Sequence, residues 1–137
     1  MGVVATGIIA TRVDVTLDAR IHQIYDGVMA VLAKHAPTLV ALEDLYSEYR
    51  FPRTALLMAH ARGVICLAAR QQAVAVLAVA PAEVKRAIVA NGAASKAQIQ
   101  LGVQRMLRLG TPPRPSHVAD ALALALTGFS RQGGRLA

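Results

Sequence analysis

Residues 38–46 read TLVALEDLY, an apolar run that ends abruptly in two carboxylates. Leu39, Val40, Ala41 and Leu42 make a short continuous apolar segment, which suits a strand buried on both faces better than a strand at a surface. Glu43 stands at its end. Open α/β sheets place their chemistry at the carboxyl ends of strands, so Glu43 is a candidate site residue; the alternative is that it only begins a solvated loop. A second acidic position far downstream bears on the choice. Ser116-His117-Val118-Ala119-Asp120 opens a helix and sets an imidazole and a carboxylate three residues apart, on one face and in the first turn.

On the amino-terminal side of the central run, Val3 to Thr11 (VVATGIIAT) is β-branched and reads as a strand. A turn over Asp14 to Asp18 follows, with Asp18 able to cap the next helix. In that helix Ile21, Ile24, Tyr25, Val28, Val31 and Leu32 recur with helical spacing, and the pattern stops near His35, before Pro37. On the carboxyl side, Tyr46 to Pro52 (YSEYRFP) is a loop of aromatics alternating with charge, which can pack over a rim or stack on bases. Thr54 to Ala69 is helical and apolar nearly all round, so it is buried either in the monomer or by a partner, and a homodimer through this region is expected. Val74 to Val79 returns as a strand.

Pro81 then begins a helix that Asn91-Gly92 can end in a left-handed cap. Ser95 with Gln98 forms a capping box ahead of the stripe Ile99, Val103, Met106 and Leu107, and Gly110 closes that helix. The prolines of Thr111 to Pro115 forbid helix, so this stretch is an extended connector. Ser116 caps a last helix whose segment Ala121 to Leu126 is wholly apolar, and Gly128 begins its end. The expected organisation is one α/β domain over residues 1–129, a mixed sheet flanked by helices, followed by a flexible Gly- and Arg-rich basic tail over 130–137.

Composition narrows the function. Of the 137 residues 55% are hydrophobic but only 4% aromatic, so the core is built from Ala, Val, Leu and Ile. The net charge of +7 is uneven: residues 1–70 carry seven Lys/Arg against six Asp/Glu, and residues 71–137 eight against two. A cationic carboxyl half suits a protein that meets phosphates or an acidic surface. Cys66 is the single cysteine and reads as a small buried hydrophobe in a reducing cytosol, so a cytoplasmic location is expected. No uncharged apolar run reaches the ~18 residues of a membrane span. Met1 to Thr11 lacks a basic start and is interrupted by Arg12, which argues against a signal peptide. Met1-Gly2 with Thr6 matches the loose myristoylation pattern, against which stands the strand-like Val3-Val4 beginning.

For His117 and Asp120 the structural alternative is service to the helix start, Asp120 complementing the dipole and His117 the cap. If Glu43 converges on them, two carboxylates and an imidazole face one point. Such an oxygen-rich set selects Mg²⁺ or Mn²⁺ over zinc, and two such ions can activate a water and stabilise the departing oxygen of a phosphodiester.

These residues match a known pattern. From about Gly7 onward the chain resembles the RuvC Holliday-junction resolvases, which have an RNase H-like fold. Val40-Ala41-Leu42-Glu43-Asp44 looks like the family's second acidic strand, and Ala59 to Gly63 (AHARG) is similar to its QARG helix, with His60 in place of the Gln. Pro81 to Lys85 and Asn91 to Lys96 resemble its basic DNA-contacting elements, and Pro115 to Leu126 (PSHVADALALAL) its terminal metal helix, where the position of His117 is Asp in some members and His in others.

The resemblance implies Glu43, His117 and Asp120 as metal-site and catalytic residues holding Mg²⁺ (Mn²⁺ as substitute), two ions per site. It implies Lys85 and Lys96 as phosphate contacts, with Arg50 and Arg53 also on the DNA side. Tyr46 takes the place of a Phe that wedges into the junction. It further implies a homodimeric endonuclease that resolves four-way DNA junctions in homologous recombination and DNA repair, partnered by a junction-binding and branch-migration motor complex. The sequence departs from the family at its start: the strand ending in GIDPG, whose aspartate bridges both metals, and the strand after it have no counterpart here. Val3 to Thr11 corresponds to the family's third strand, so the sequence reads as an amino-terminally truncated fold. A second reading is therefore a dimer that binds branched DNA without cutting it. A third, from another class, is a structural protein whose basic charge serves solubility or a protein partner.

Overall fold

The computed structural model describes residues 2–44 and 52–134. Its elements run α1 (Leu17–His35), β1 (Leu39–Glu43), α2 (Pro52–Gln71), β2 (Ala75–Val79), α3 (Pro81–Val89), α4 (Lys96–Met106) and α5 (Ser116–Arg131). The α/β alternation expected from the sequence is present, and among the described residues β1 and β2 form a two-stranded sheet. The Asp44 N–H donates to the Val79 carbonyl at 2.9 Å. That bond joins the carboxyl ends of both strands, as a parallel pair linked by a crossover helix requires.

The chain divides into two compact units, one of residues 9–40 and 45–77, the other of residues 1–8, 41–44 and 78–137. In the first, α1 packs on α2. Leu32 is buried, as its place in the apolar stripe predicts, and so are Ala68 and Ala69, while Val31 of the same expected stripe is exposed. The Tyr25 hydroxyl donates to Gln71 Oε1, tying the two helices through a polar rim. Helix α1 ends at Ala36, in a left-handed conformation (φ 44°), whose N–H donates to the Leu32 carbonyl.

In the second unit α3, α4 and α5 pack on one another. Val79, Val103, Ala119 and Ala123 are fully enclosed, and Ile88, Ile99 and Leu126 are nearly so. Helix α4 approaches α3 so closely that a Cβ on Gly102 would lie 2.6 Å from Ile88 Cγ2. The capping box expected at Ser95 is formed: Gln98 N–H donates to Ser95 Oγ (3.2 Å) and Ser95 N–H to Gln98 Oε1 (2.8 Å). Thr127, buried in α5, donates its hydroxyl to the Ala123 carbonyl at 2.8 Å, one turn back.

Several local expectations are corrected. Val3 to Thr11 is not a strand. Its β-branched residues favour extended backbone, but a strand needs a neighbour's N–H and C=O groups to pair with, and among the described residues no segment supplies that ladder. Ile9 instead packs side-on against Gly27 of α1, where its Cγ2 occupies the space of a Cβ (2.7 Å). The run Leu39–Leu42 is a strand but only half-buried, because a two-stranded sheet covers neither edge fully. Helix α1 starts from Thr16, and Asp18 lies in its first turn, where the Thr16 side chain holds its carboxyl below the usual range.

Near the other helix ends the same kind of shift recurs. The left-handed cap of α3 is Ala90 (φ 56°), not Asn91-Gly92, because the helix ends where its N–H reaches the Arg86 carbonyl. Helix α4 stops at Met106, well before Gly110, with Arg108 taking the positive φ. Pro115 rather than Ser116 is the N-cap residue of α5, and Ser116 is already helical. Gly128 does not end that helix: it is buried and passes within it to Arg131, so Ser130 and Arg131 form its last turn. Arg131 is fastened there, Nε 3.3 Å from Glu83 Oε1 and Nη1 donating to the Ala78 carbonyl at 3.1 Å. Cys66 is partly exposed rather than buried. Helix α2 leaves Leu56, Leu57 and Leu67 exposed, so its apolar surface is not consumed within its own unit.

Candidate functional site

Glu43 is the last residue of β1, at the carboxyl end of the parallel pair. Asp120 lies on α5 just beyond its first turn, a little deeper than the sequence suggests, and is half-exposed. Their charges act on each other. The Glu43 carboxyl is held above its usual pKa, chiefly by desolvation and next by the negative charge of Asp120, while Lys96 pulls it the other way. The residue as a whole is exposed, so it is the cover around its carboxylate rather than enclosure of the side chain that raises the value.

Lys96 is the first residue of α4, delivered by the Ser95 capping box, and its Nζ is 3.9 Å from Asp120 Oδ2. An ion pair of this length between solvent-reached side chains contributes ~1 kcal/mol or less. Its interest is positional: a cation stands at the mouth of two like charges.

His117 occupies the first turn of α5 and is exposed. The structure thus brings two members of the expected trio, Glu43 and Asp120, within electrostatic reach. Among the described residues no three His, Cys, Asp or Glu side chains gather closely enough to hold a metal ion. Lys85 is half-buried on α3, and Arg53 is exposed in the first turn of α2. Tyr46 and Arg50 lie outside the described residues. A cavity of about 460 Å³ bounded by Val3, Leu109, Arg114 and Val118 involves none of Glu43, Lys96 or Asp120. No described helix is long and apolar enough to cross a membrane.

Sequence reasoning named Lys96 but missed its proximity to Asp120. The capping box was a visible signal for where α4 begins, but nothing in the sequence gives the approach of α4 to α5. The donor set itself suits a hard divalent cation. Two carboxylates supply anionic oxygens, and such ions complete their shell with water or phosphate.

Strands alternating with helices and acids at the carboxyl end of β1 fit an RNase H-like α/β protein, and similarity to solved structures shows that class. Thermus thermophilus RuvC matches with a TM-score of 0.84 and 36% identity, covering 93% of this chain and 77% of that one. Thermus thermophilus RuvC in complex with a Holliday junction substrate matches with a TM-score of 0.85 and 32% identity, covering 96% and 80%. The family model described as crossover junction endodeoxyribonuclease RuvC matches residues 1–128. The crossover junction endodeoxyribonuclease RuvC of Rhodopirellula baltica is 49% identical over 122 residues, 89% of this chain and 68% of that protein. That of Gloeobacter violaceus is 42% identical over 123 residues, 90% and 70% respectively. The chain belongs to the RuvC family.

Proposed function

We propose that the chain acts as a structure-specific endonuclease that resolves four-way DNA junctions in homologous recombination and DNA repair. The observation that carries this reading is the meeting of Glu43 and Asp120 charges at the carboxyl end of β1, with Lys96 beside them, in a chain of the RuvC family. A RuvC relative of similar fold is bound to a Holliday junction, which supports the same substrate here.

In this reading Glu43 and Asp120, with His117 from the first turn of α5, hold Mg²⁺ or in its place Mn²⁺, two ions per site. When bound, such ions supply an activated water and stabilise the departing oxygen of the phosphodiester. The remaining work falls to side chains of this chain. Lys85, Lys96 and Arg53, with Arg50, bind backbone phosphates, and the surplus of cations over residues 71–137 draws the DNA in. Tyr46 stacks on or wedges between bases at the crossover. The exposed leucines of α2 (Leu56, Leu57, Leu67) form the homodimer surface that pairs two sites on one junction. The remaining partners are a junction-binding and branch-migration motor complex, and the location is cytoplasmic.

A second reading is a dimer that binds branched DNA without cutting it. It is favoured by the described residues offering two grouped carboxylates rather than a three-residue metal set. Nicking of a synthetic four-way junction in Mg²⁺ separates the two. Nicking abolished by Asp120→Asn supports the nuclease. Tight, salt-sensitive junction binding without nicking in Mg²⁺ or Mn²⁺ leaves the binder, since salt ions compete with the protein's cations for the phosphates. Equal affinity for branched and linear duplex defeats both readings and leaves a structural protein.

A further inference from the structure

A lysine whose only task is to hold a DNA phosphate needs no acidic partner in its own chain. Lys96 nevertheless lies with Nζ 3.9 Å from Asp120 Oδ2. Its backbone is fixed by the Ser95–Gln98 capping box at the first position of α4, so the place from which the side chain reaches is rigid. The side chain itself is 76% exposed and that of Asp120 46%, which leaves the pair open to ions arriving from solvent. The ammonium also offsets part of the repulsion that Asp120 exerts on Glu43.

We propose that Lys96 is a tethered counter-ion of the Glu43–Asp120 pair, occupying Asp120 when no divalent cation is bound and displaced by that cation when one arrives. This rests on the metal-site reading of Glu43 and Asp120 given above and adds a competitor to it. The lysine stem is flexible and its head is a compact point charge, so it can leave one anion for another. A divalent cation ligates carboxylate oxygens at about 2.0–2.2 Å and with twice the charge, so it wins the site, but at an affinity reduced by the ion pair it must break. The displaced ammonium then serves as a phosphate contact. Occupation of the carboxylates and release of the DNA-holding cation are thereby one event.

The test is Mn²⁺ binding by the 137-residue chain without DNA, followed by the electron paramagnetic resonance signal of unbound Mn²⁺. Lys96→Gln removes the competitor and is expected to tighten Mn²⁺ binding roughly two- to fivefold, the range that loss of a surface ion pair allows. Lys96→Arg keeps the charge and is expected to stay near the wild-type affinity. Arg105→Gln makes the same charge change nine residues further along α4, ~13 Å away by helical rise, and is expected to leave binding unchanged. Mn²⁺ binding that is lost in Asp120→Asn but equal or weaker in Lys96→Gln overturns the counter-ion role while the metal-site reading stands. Equal tightening by Arg105→Gln also overturns it, since the effect is then net charge. Binding absent from both wild type and Lys96→Gln overturns the metal-site reading and this proposal together.

Discussion

Arg131 Nε lies 3.3 Å from Glu83 Oε1, and the same guanidinium donates through Nη1 to the Ala78 carbonyl at 3.1 Å. One side chain at the end of α5 therefore holds both the first turn of α3 and the carboxyl end of β2. Arg131→Ala is expected to cost about 1 kcal/mol, the combined worth of one partly exposed ion pair and one solvent-exposed hydrogen bond. In thermal unfolding this is a fall of roughly 3–5 °C for a chain of this size. Wild-type stability in Arg131→Ala would mean that the end of α5 is held by its apolar face alone.

The closeness of α3 and α4 makes Gly102 a sensitive position. A methyl there meets Ile88 Cγ2 at 2.6 Å and the Ile88 carbonyl at 3.3 Å, and Ile88 is buried with little room to yield. Overpacking costs about 1–3 kcal/mol, more than the ~1 kcal/mol that alanine gains over glycine inside a helix. Gly102→Ala should therefore lower the urea midpoint. A raised midpoint would show that helix propensity wins and that the two helices separate readily.

The cap of α4 has a stability role apart from any function of Lys96. Ser95→Ala leaves the Gln98 N–H without its hydroxyl acceptor and should cost ~1 kcal/mol, while Ser95→Asp, which retains an acceptor, should cost much less. Equal losses for the two substitutions, measured by urea unfolding, would rule the capping bond out as the cause.

Glu43 gives stability a pH dependence whose sign follows from its raised folded pKa. The folded chain holds the Glu43 proton more tightly than the unfolded chain does, owing to desolvation and then to Asp120. Its contribution is therefore full below the ordinary value of 4.5 and is lost as pH rises through the higher folded value. In chelator, Glu43→Gln should flatten this part of the profile and be the more stable protein near neutrality, relative to its own acid-pH value. Parallel wild-type and Glu43→Gln profiles of unfolding midpoint against pH would remove the electrostatic coupling on which the site reading stands.

Much of the fold was legible because local rules agreed with one another. The stripe ending at Leu32, the continuous run Leu39–Leu42, Pro81 at a helix start and the Ser95–Gln98 box each combine a periodicity with a boundary signal, and each marks an element in the structure. Where one signal stood alone it misled. The β-branched Val3 to Thr11 had propensity but no pairing partner among the described residues, and Gly110 and Gly128 were read as stops though one lies beyond its helix and the other is packed inside. Of the candidate site, Glu43, Asp120 and Lys96 were singled out by motif and position, and what the structure adds is that their charges lie within reach of one another.

What the sequence by itself determined is the α/β order, a strand with an acid at its end, the polar start of α5 and the excess of cations in the carboxyl half, because these depend on spacing and composition along the chain. Only the tertiary structure decided that Asp120 acts on Glu43, that Lys96 reaches Asp120 across two helices, and that Arg131 is a fastening rather than part of a loose tail. Those relationships join residues between 24 and 77 positions apart for the charged site and 48 apart for Arg131 and Glu83. Helix packing sets distances of that kind, and no local periodicity encodes them.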